Sequence, residues 1–525
     1  MVECDQKRFG AGVLLGSLSP VESMRQGPLG KKSRTLRNAM NEISKPDSGV
    51  SEFPDSSQSR HITRIFYGMG GVTAGMVSVG LGMFVLVYYS RVLGLSAGLV
   101  GTALAIALIF DAISDPLVGY ASDKFRSRWG RRHPFMYFAC LPISVLVYFL
   151  WNPPLESLND QSLFIYLICV TITLRLLLTC FEVPSIALNP ELTDDYDERT
   201  HLANYRVCAS WIAMTILSFL LYGYWLSDTP EYPDGLLNIA GYQQMGLVSA
   251  IAVLAAMLVC AIGLHSKIPD FKRPVQKHTW TVGGTLRGLK SAYSEPALTP
   301  LLLAGILIAV GFAIQGSLQA YFYSYFWELS TASISGLMVA WGLGVLFGFF
   351  TTSFLSRGRD KRSVALWMLG ALAFEEICFP GLRVIGLFPS SESALYYPLI
   401  FVISIFQMTV YLVLMAMLAS MMADVAEKRE LASGDREEGT LYSAQMLISK
   451  ISGSLGIWIS GLILEFVDFP TAVDAIEVTP ETARSLVIVA ICVFLIFYPL
   501  ALFCLSRFRI DRAEHESDLD QLRNR

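Results

Sequence analysis

Two acidic residues lie inside an apolar segment, directly before a group of basic residues. Asp111 and Asp115 are four residues apart in "IALIFDAISDPLVGY". That spacing places both carboxylates on one face of a helix. Two ionised carboxylates on one face repel each other, so either a cation lies between them or one of them holds a proton. The pair indicates a cation site that sodium or a proton could occupy.

A second apolar segment supplies polar side chains that could complete this site. Thr179 and Glu182 are three residues apart on one helix face, and Arg175 lies one turn before Thr179. Lys450, in a later apolar segment, is the lone cation that could balance the acids. An ionisable group at membrane depth costs about 2.5–3.5 kcal/mol or more, so each is a functional candidate. The predicted cation ligands are Asp111, Asp115, Thr179 and Glu182.

Each of these residues also has a structural interpretation. Asp115 could bind only the neighbouring arginines and close a gate, and Glu182 could pair only with Arg175. Lys450 could extend to the membrane interface. Another acidic pair, Glu375–Glu376, is adjacent in sequence, so we expect one of the two to face the interior and assign neither a role.

The composition is that of a membrane protein. The chain has 525 residues, of which 53% are hydrophobic and 16% charged, whereas soluble domains have about 25% charged residues. A net charge of −4 predicts no nucleic-acid partner. The nine cysteines form no CxxC pair, and no histidine or cysteine constellation lies in the apolar segments, so we expect no metal cluster and no enzyme.

Twelve apolar segments are long enough to cross a bilayer, which needs about 20 residues each. They cover residues 65–90, 97–121, 134–152, 163–189, 206–227, 243–266, 298–326, 331–356, 364–388, 396–426, 440–468 and 483–507. Lysine and arginine cluster in the loops after the second, sixth, eighth and tenth segments. The positive-inside rule therefore predicts that both termini are cytoplasmic, in a plasma or inner membrane.

A long basic connector, 267–297, divides the chain into six segments and six. We expect a disordered cytoplasmic tail (1–62), two six-helix bundles (63–266 and 298–508) and a second cytoplasmic tail (509–525). "LSAGLVGTALAIALIF" and "ISGLMVAWGLGVLFGFF" echo each other before the two main basic loops. This all-α, twelve-helix arrangement of two pseudo-repeats resembles the major facilitator superfamily, whose sites lie between the halves. We expect a monomer.

The basic loops suggest a cytoplasmic gate, although they could also do no more than set the topology. The predicted gate residues are Asp123, Arg128, Arg131, Arg132, Arg357, Arg359 and Arg362.

Longer motifs carry a family resemblance. "FDAISDPLVGYASDKFRSRWGRRHPF", "TCFEVPSIALNPELTDDYDERTHLANYR" and "EGTLYSAQMLISK" resemble the glycoside–pentoside–hexuronide:cation symporters of the melibiose permease type, over residues 64–510. The resemblance implies that Asp111 and Asp115 ligate sodium, lithium or a proton, and that Thr179 and Glu182 join them, with Glu182 replacing an aspartate. It also implies that Lys450 lies close to the acids. The remaining family positions carried over are Gln445 and Arg206.

The sugar-contacting positions of the family are not retained. Its first-helix aspartate falls on Gly75, and its two tryptophans fall on Ile186 and Met415. We expect these three positions to line a less polar substrate cavity. Arg175 stands where the family has glycine, and we expect it to balance the charge of the acids.

These observations predict a secondary active transporter that couples a small solute to sodium or protons and needs no other cofactor. A sugar or glycoside is the family's usual solute. A more apolar amphiphile, such as a lysolipid, is the alternative that the altered cavity suggests. A membrane sensor with the same fold is a further alternative, against which the retained acids argue.

Overall fold

The computed structural model describes residues 56–155, 159–193, 195–230, 232–268, 298–355, 359–433, 438–471 and 478–508. Within these ranges the chain is helical, and long helices alternate with short loops. The expected tail at 509–525 and nearly all of the connector 267–297 lie outside the described residues.

The first six long helices are named α1 to α6. Their bounds are Ser56–Val79 (α1), Ala97–Lys124 (α2), His133–Trp151 (α3), Asp160–Ile186 (α4), Tyr196–Leu220 (α5) and Ile239–His265 (α6). Helix α1 continues through two π-helical turns to Val92, and α5 continues through one to Trp225. A four-residue helix, Asn189–Leu192, follows α4.

The next six are named α7 to α12. Their bounds are Leu298–Tyr321 (α7), Thr331–Leu355 (α8), Lys361–Val384 (α9), Tyr396–Ser433 (α10), Glu438–Phe466 (α11) and Pro480–Ser506 (α12). The helices α1–α6 are called the first half below, and α7–α12 the second half.

Eleven helices of the described residues are long and apolar enough to cross a membrane, and α11 coincides with the remaining predicted segment, 440–468. The prediction of an all-helical, twelve-span membrane protein is confirmed. Helix α1 begins at Ser56, so residues 56–62 are helical and do not belong to the expected tail. Residues 1–55 lie outside the described part of the chain.

The ends of α1 and α7 repeat the same local structure. Each closes in a π-helical turn, Tyr88–Val92 in α1 and Phe322–Phe326 in α7. A residue with positive φ follows each turn at the same distance, Gly94 at 85° and Glu328 at 49°. Since a non-glycine residue seldom adopts positive φ, the match indicates that the two halves are copies of one structural unit.

Helices α2 and α11 form a close contact between the two halves. A Cβ atom built on Gly461 of α11 would lie 2.4 Å from the Ala97 carbonyl oxygen of α2. One turn along, the Trp458 indole donates to the Thr102 hydroxyl at 3.2 Å. Farther along still, the Ser454 hydroxyl donates to a main-chain carbonyl of α2 at 3.0 Å. Small residues at such crossings let two backbones approach closely.

This contact makes a prediction for thermal stability. Gly461→Ala places a methyl group against the α2 backbone and should destabilise the purified protein by about 1–3 kcal/mol, lowering its melting temperature. The matched control is Gly453→Ala on the same helix, where a Cβ meets no atom within 4 Å. The control should be neutral or stabilising, since alanine favours helix. Equal melting temperatures for the two variants would contradict the close contact.

Candidate functional site

The two acids of α2 share one ammonium group from the other half of the protein. The Lys450 Nζ of α11 lies 2.7 Å from Asp111 Oδ2 and 2.5 Å from Asp115 Oδ2. Asp111 is 4% exposed, so its charge depends on this partner. The structure therefore brings these three predicted residues together at the contact between the halves.

A hydroxyl from α4 completes the cluster. Thr179 Oγ1 lies 2.9 Å from Asp111 Oδ1 and 3.0 Å from Asp115 Oδ1. Because a hydroxyl has one proton, it donates to one carboxylate at a time. Ser114 Oγ lies 3.1 Å from the threonine oxygen, although the sequence analysis did not identify this serine. Ser114 lies one helical turn after Asp111, and this spacing predicts that the two residues share a helix face.

Prolines interrupt the hydrogen bonding of both helices near the cluster. Pro116 lies inside α2, directly after Asp115, and Pro184 lies inside α4. A proline within a helix has no N–H to donate, so the carbonyl four residues earlier loses its helical partner. Pro116 and Pro184 therefore leave the carbonyls of Ala112 and Cys180 without their usual helical N–H partner.

A second positive charge lies farther from the acids. Arg175 Nη1 is 3.7 Å from Asp111 Oδ2, and the Arg175 carbonyl oxygen lies 3.1 Å from Thr179 Oγ1 as a further possible acceptor of its single proton. Asp111 is thus within ion-pair distance of both Lys450 and Arg175. This position is compatible with the charge balance expected of Arg175.

Glu182 stands apart from the cluster. In the described part of the chain its carboxylate makes no ion pair and no hydrogen bond, although the charges of Arg206 and Asp111 act on it. Arg206 is 9% exposed and lies over the Tyr67 ring at 5.5 Å. Its two terminal nitrogens have no hydrogen-bond partner among the described residues. No group of three or more acidic, histidine or cysteine side chains able to hold a metal ion occurs in the described ranges.

The three residues that were predicted to line the substrate cavity differ in their surroundings and exposure. A Cβ atom on Gly75 would lie 2.1 Å from the Ser210 carbonyl of α5, so Gly75 is a helix-contact residue and not a cavity wall, which corrects the expectation. Ile186 at the end of α4 is 43% exposed, and Met415 of α10 is half-buried. The side chain of Gln445 lies outside the described residues.

The predicted gate residues bind within their own halves. Arg132 Nη2 lies 3.2 Å from Asp123 Oδ1, while Arg131 Nη2 and Arg132 Nε each lie 2.5 Å from Glu191 Oε1. The sequence analysis missed Glu191, because nothing in its spacing shows that its short helix folds back onto this loop. Arg128 lies over the Trp129 ring.

In the second half, Arg362 donates to the Ser506 carbonyl, and Arg359 lies over the Phe354 ring. Arg357 falls outside the described residues. At this basic end of the bundle, none of the ion pairs between described residues joins the two halves.

The opposite end of the bundle does join them. Arg91, after α1, donates to the Tyr325 hydroxyl at 3.2 Å and to the Pro470 carbonyl at 3.1 Å. Tyr325 in turn donates to Asp234 Oδ2 at 2.7 Å. This cluster, called the latch below, consists of Arg91, Asp234, Tyr325 and Pro470. The halves are therefore bound together at the latch end and at the acid–lysine cluster.

Two related helical halves with paired charges at the contact between them define a secondary transporter of the major facilitator type. The sequence model of the family described as MFS/sugar transport protein matches residues 66–512. The chain belongs to this family, which confirms the predicted class of protein.

Known relatives cover nearly the whole chain. It is 26% identical to an uncharacterized symporter of Synechocystis, over 90% of this chain and 98% of that protein. It is 24% identical to a putative glycoside/cation symporter of Escherichia coli, over 85% of this chain and 93% of that protein. It is 23% identical to sodium-dependent lysophosphatidylcholine symporter 1 of Gallus gallus, over 88% of this chain and 89% of that protein.

A solved structure agrees in fold. The crystal structure of nucleoside transporter NupG superposes with a TM-score of 0.59 at 13% sequence identity, covering 86% of this chain and 99% of that one. At this identity the likeness concerns the fold alone.

The acid–lysine cluster makes a prediction for stability. Lys450→Met leaves two carboxylates without their ammonium and should destabilise the purified protein by about 3–5 kcal/mol. Adding Asp115→Asn should recover part of that loss, because one of the repelling charges is removed. Melting temperatures measure both effects, with the exposed Lys124→Met as control. A Lys450→Met variant as stable as this control would show that the lysine does not neutralise the acids.

Proposed function

We propose that the protein is a cation-coupled symporter whose coupling site is formed by Asp111, Asp115 and Thr179. The observation that carries this proposal is the shared contact of both carboxylates with Lys450 across the two halves. The lysine occupies the position between the acids that a sodium ion or proton would need. The cation and the lysine therefore compete for the same two carboxylates.

The oxygen atoms at this position suit a hard cation. Thr179 Oγ1 lies within hydrogen-bond distance of one carboxylate oxygen of each aspartate and of the Ser114 hydroxyl. Hard cations favour such oxygen ligands, and a proton needs only one carboxylate. We assign Glu182 and Arg206 to the rim of the site, where their charges act on it without direct contact.

Competition between cation and lysine supplies a mechanism for coupling. A bound cation neutralises the acids and releases Lys450 from α2. The release of Lys450 weakens the contact between α2 and α11. The two halves can then rotate relative to each other about the site. If the cation favours one arrangement of the halves, a solute that favours the same arrangement binds more tightly, and the effect is reciprocal.

The topology follows from the charges of the loops. We place the basic end and both termini in the cytoplasm, by the positive-inside rule. The latch end then faces the outside, and we assign the structure to the inward-facing state because the latch joins the halves at that end. We retain the expected division into two bundles joined by a cytoplasmic connector, with the second bundle at 298–508 and the first extended to the start of α1 at Ser56. We assign Arg131 and Arg132 to bracing the first half in this state.

A sugar or glycoside is the first candidate for the solute. The family is described as sugar transport protein, and the E. coli relative is named a glycoside/cation symporter. The second candidate is a lysolipid, for which two observations speak. The chicken relative is named a lysophosphatidylcholine symporter, and the close helix contact at Gly75 leaves no space for the aspartate that the sugar symporters have there.

Uptake into proteoliposomes tests the coupling site. An inward sodium or proton gradient should drive accumulation of a radiolabelled glycoside or of lysophosphatidylcholine, and both probes are measured. Asp111→Cys should reduce the accumulation by at least about tenfold. A change of this size is within the usual range for the coupling between two binding sites. Asp160→Asn, at the exposed start of α4, is the control and should transport normally.

Two outcomes would contradict the proposal. Uptake that persists after both gradients are collapsed would exclude symport. Full gradient-driven accumulation by Asp111→Cys would assign the acids to a gate.

The latch makes a prediction for the conformation. Tyr325→Phe keeps the ring but removes the hydrogen bonds to Arg91 and Asp234, so it should shift the population toward the state that is open at this end. Spin labels at Pro230 and Ser330, one in each half, should move apart. Tyr224→Phe, an exposed tyrosine at the same end, serves as control. Equal distance distributions in the two variants would show that the latch does not hold the halves together.

A further inference from the structure

A second pair of acids is buried inside the second half, on a different helix from the cation site. Glu375 and Glu376 of α9 are 6% and 5% exposed. Both therefore lie in the interior, and the expectation that only one would do so is wrong. They line a cavity of about 40 Å³ between α7, α9, α10 and α12. A cavity of this size has room for water but is too small for a sugar or a lipid.

The polar groups around this cavity are only partly satisfied. The Gln407 amide of α10 donates to Glu376 Oε1 at 2.8 Å. Glu375 Oε2 is buried and has no hydrogen-bond partner among the described residues. An unsatisfied buried oxygen is costly and usually marks a missing ligand.

Helix α7 buries a further polar side chain near this cavity. Gln319 is 1% exposed, and neither its amide oxygen nor its nitrogen has a partner in the part of the chain that the structure describes. It lies midway between Gln315 and Tyr323, which are four residues away on either side and both line the cavity. Residues at this spacing share one helix face, so Gln319 lies on the face of α7 that carries two lining residues, although it does not itself line the cavity.

Among the side chains that the structure describes, no cation forms an ion pair with either of the two acids. None of the ion pairs between described residues includes them. Arg383, two turns along α9, lies over the rings of Phe326, Trp327 and Tyr396 and pairs with Glu328. Arg484 of α12 donates to the Val384 carbonyl. The titratable groups that face the acids from neighbouring helices are the neutral phenols Tyr323 of α7 and Tyr498 of α12, and α10 contributes the amide of Gln407.

This environment favours the protonated form of both acids. A carboxylate removed from water without a cationic partner is strongly disfavoured, and two adjacent carboxylates would also repel each other. A hard metal cation would need several converging oxygens, and the amide nitrogen of Gln407 points at the acids instead. A proton needs only one carboxyl oxygen and a path through water.

We propose that Glu375 and Glu376 form a proton-binding site in the second half, filled through water in the cavity and separate from the cation site at Asp111 and Asp115. The lining glutamines Gln315 and Gln407 supply hydrogen bonds to the protonated acids and to this water. The protein then binds protons in its second half whichever cation occupies the first site.

Infrared spectroscopy of the purified full-length protein in lipid nanodiscs tests this site directly. At neutral pH the wild type should show the carbonyl band of protonated carboxylic acids, and the double variant Glu375→Gln/Glu376→Gln should lose that band. Glutamine is close in shape to protonated glutamic acid, so the melting temperature should stay near that of the wild type. Glu328→Gln, an exposed acid at the latch end, is the control and should retain the band.

A second variant covers the case in which the double variant fails to fold. Gln407→Met removes the donor to Glu376 and should shift the carbonyl band to higher frequency, because the acid loses a hydrogen bond. An unshifted band in this variant would overturn the proposal. So would a wild-type band equal to that of the folded double variant, or loss of the Glu375/Glu376 band when sodium chloride is added at constant pH. The last result would identify a metal-cation site.

The proton site and the proposed symport can fail independently. The infrared measurement requires no transport, and Asp111→Cys should leave the Glu375/Glu376 band in place. Absence of gradient-driven uptake together with an intact band would refute the symport proposal alone.

Discussion

One ammonium group between two carboxylates holds the structure together at its centre. Lys450 belongs to the second half, and Asp111 and Asp115 belong to the first, so the interaction decides how α2 and α11 align. Charges at this depth are tolerated only when they are paired, and breaking such a pair leaves an uncompensated charge. The close glycine contact between α2 and α11 and the hydroxyl of Thr179 follow from this requirement. The glycine contact brings the helices near enough for the pair to form, and the hydroxyl donates to one of the remaining carboxylate oxygens at a time.

The same interaction explains why the site can be both stable and responsive. Its charges balance internally while the lysine is present, and they would balance equally with a bound cation. Two states of similar energy, differing in the contact between the halves, are what a transporter needs. The latch around Tyr325 fixes the opposite end, whereas the ion pairs of Arg131 and Arg132 with Glu191 remain within the first half. The halves can therefore move relative to each other without breaking the bracing at the basic end.

Buried acids play different roles in the two halves because their partners differ. Asp111 has a lysine and an arginine within ion-pair distance. Glu375 and Glu376 have phenols and amides as neighbours, so protonation is the way to lower the cost of burial. Neither role follows from the acidic residue itself. It follows from which helices pack against it.

The sequence by itself determined the twelve spans, the likeness of the two halves and the residue types of the site. Apolar length decides a span, and the spacing of Asp111 and Asp115 decides that they share a helix face, because both are properties of one segment. The tertiary structure decided which segments meet. Ser114 and Glu191 joined their clusters only through contacts between distant segments, and Gly75 proved to be a helix contact. The Arg91–Tyr325 contact and the burial of Glu375 together with Glu376 likewise depend on packing between helices, which spacing along one chain does not encode.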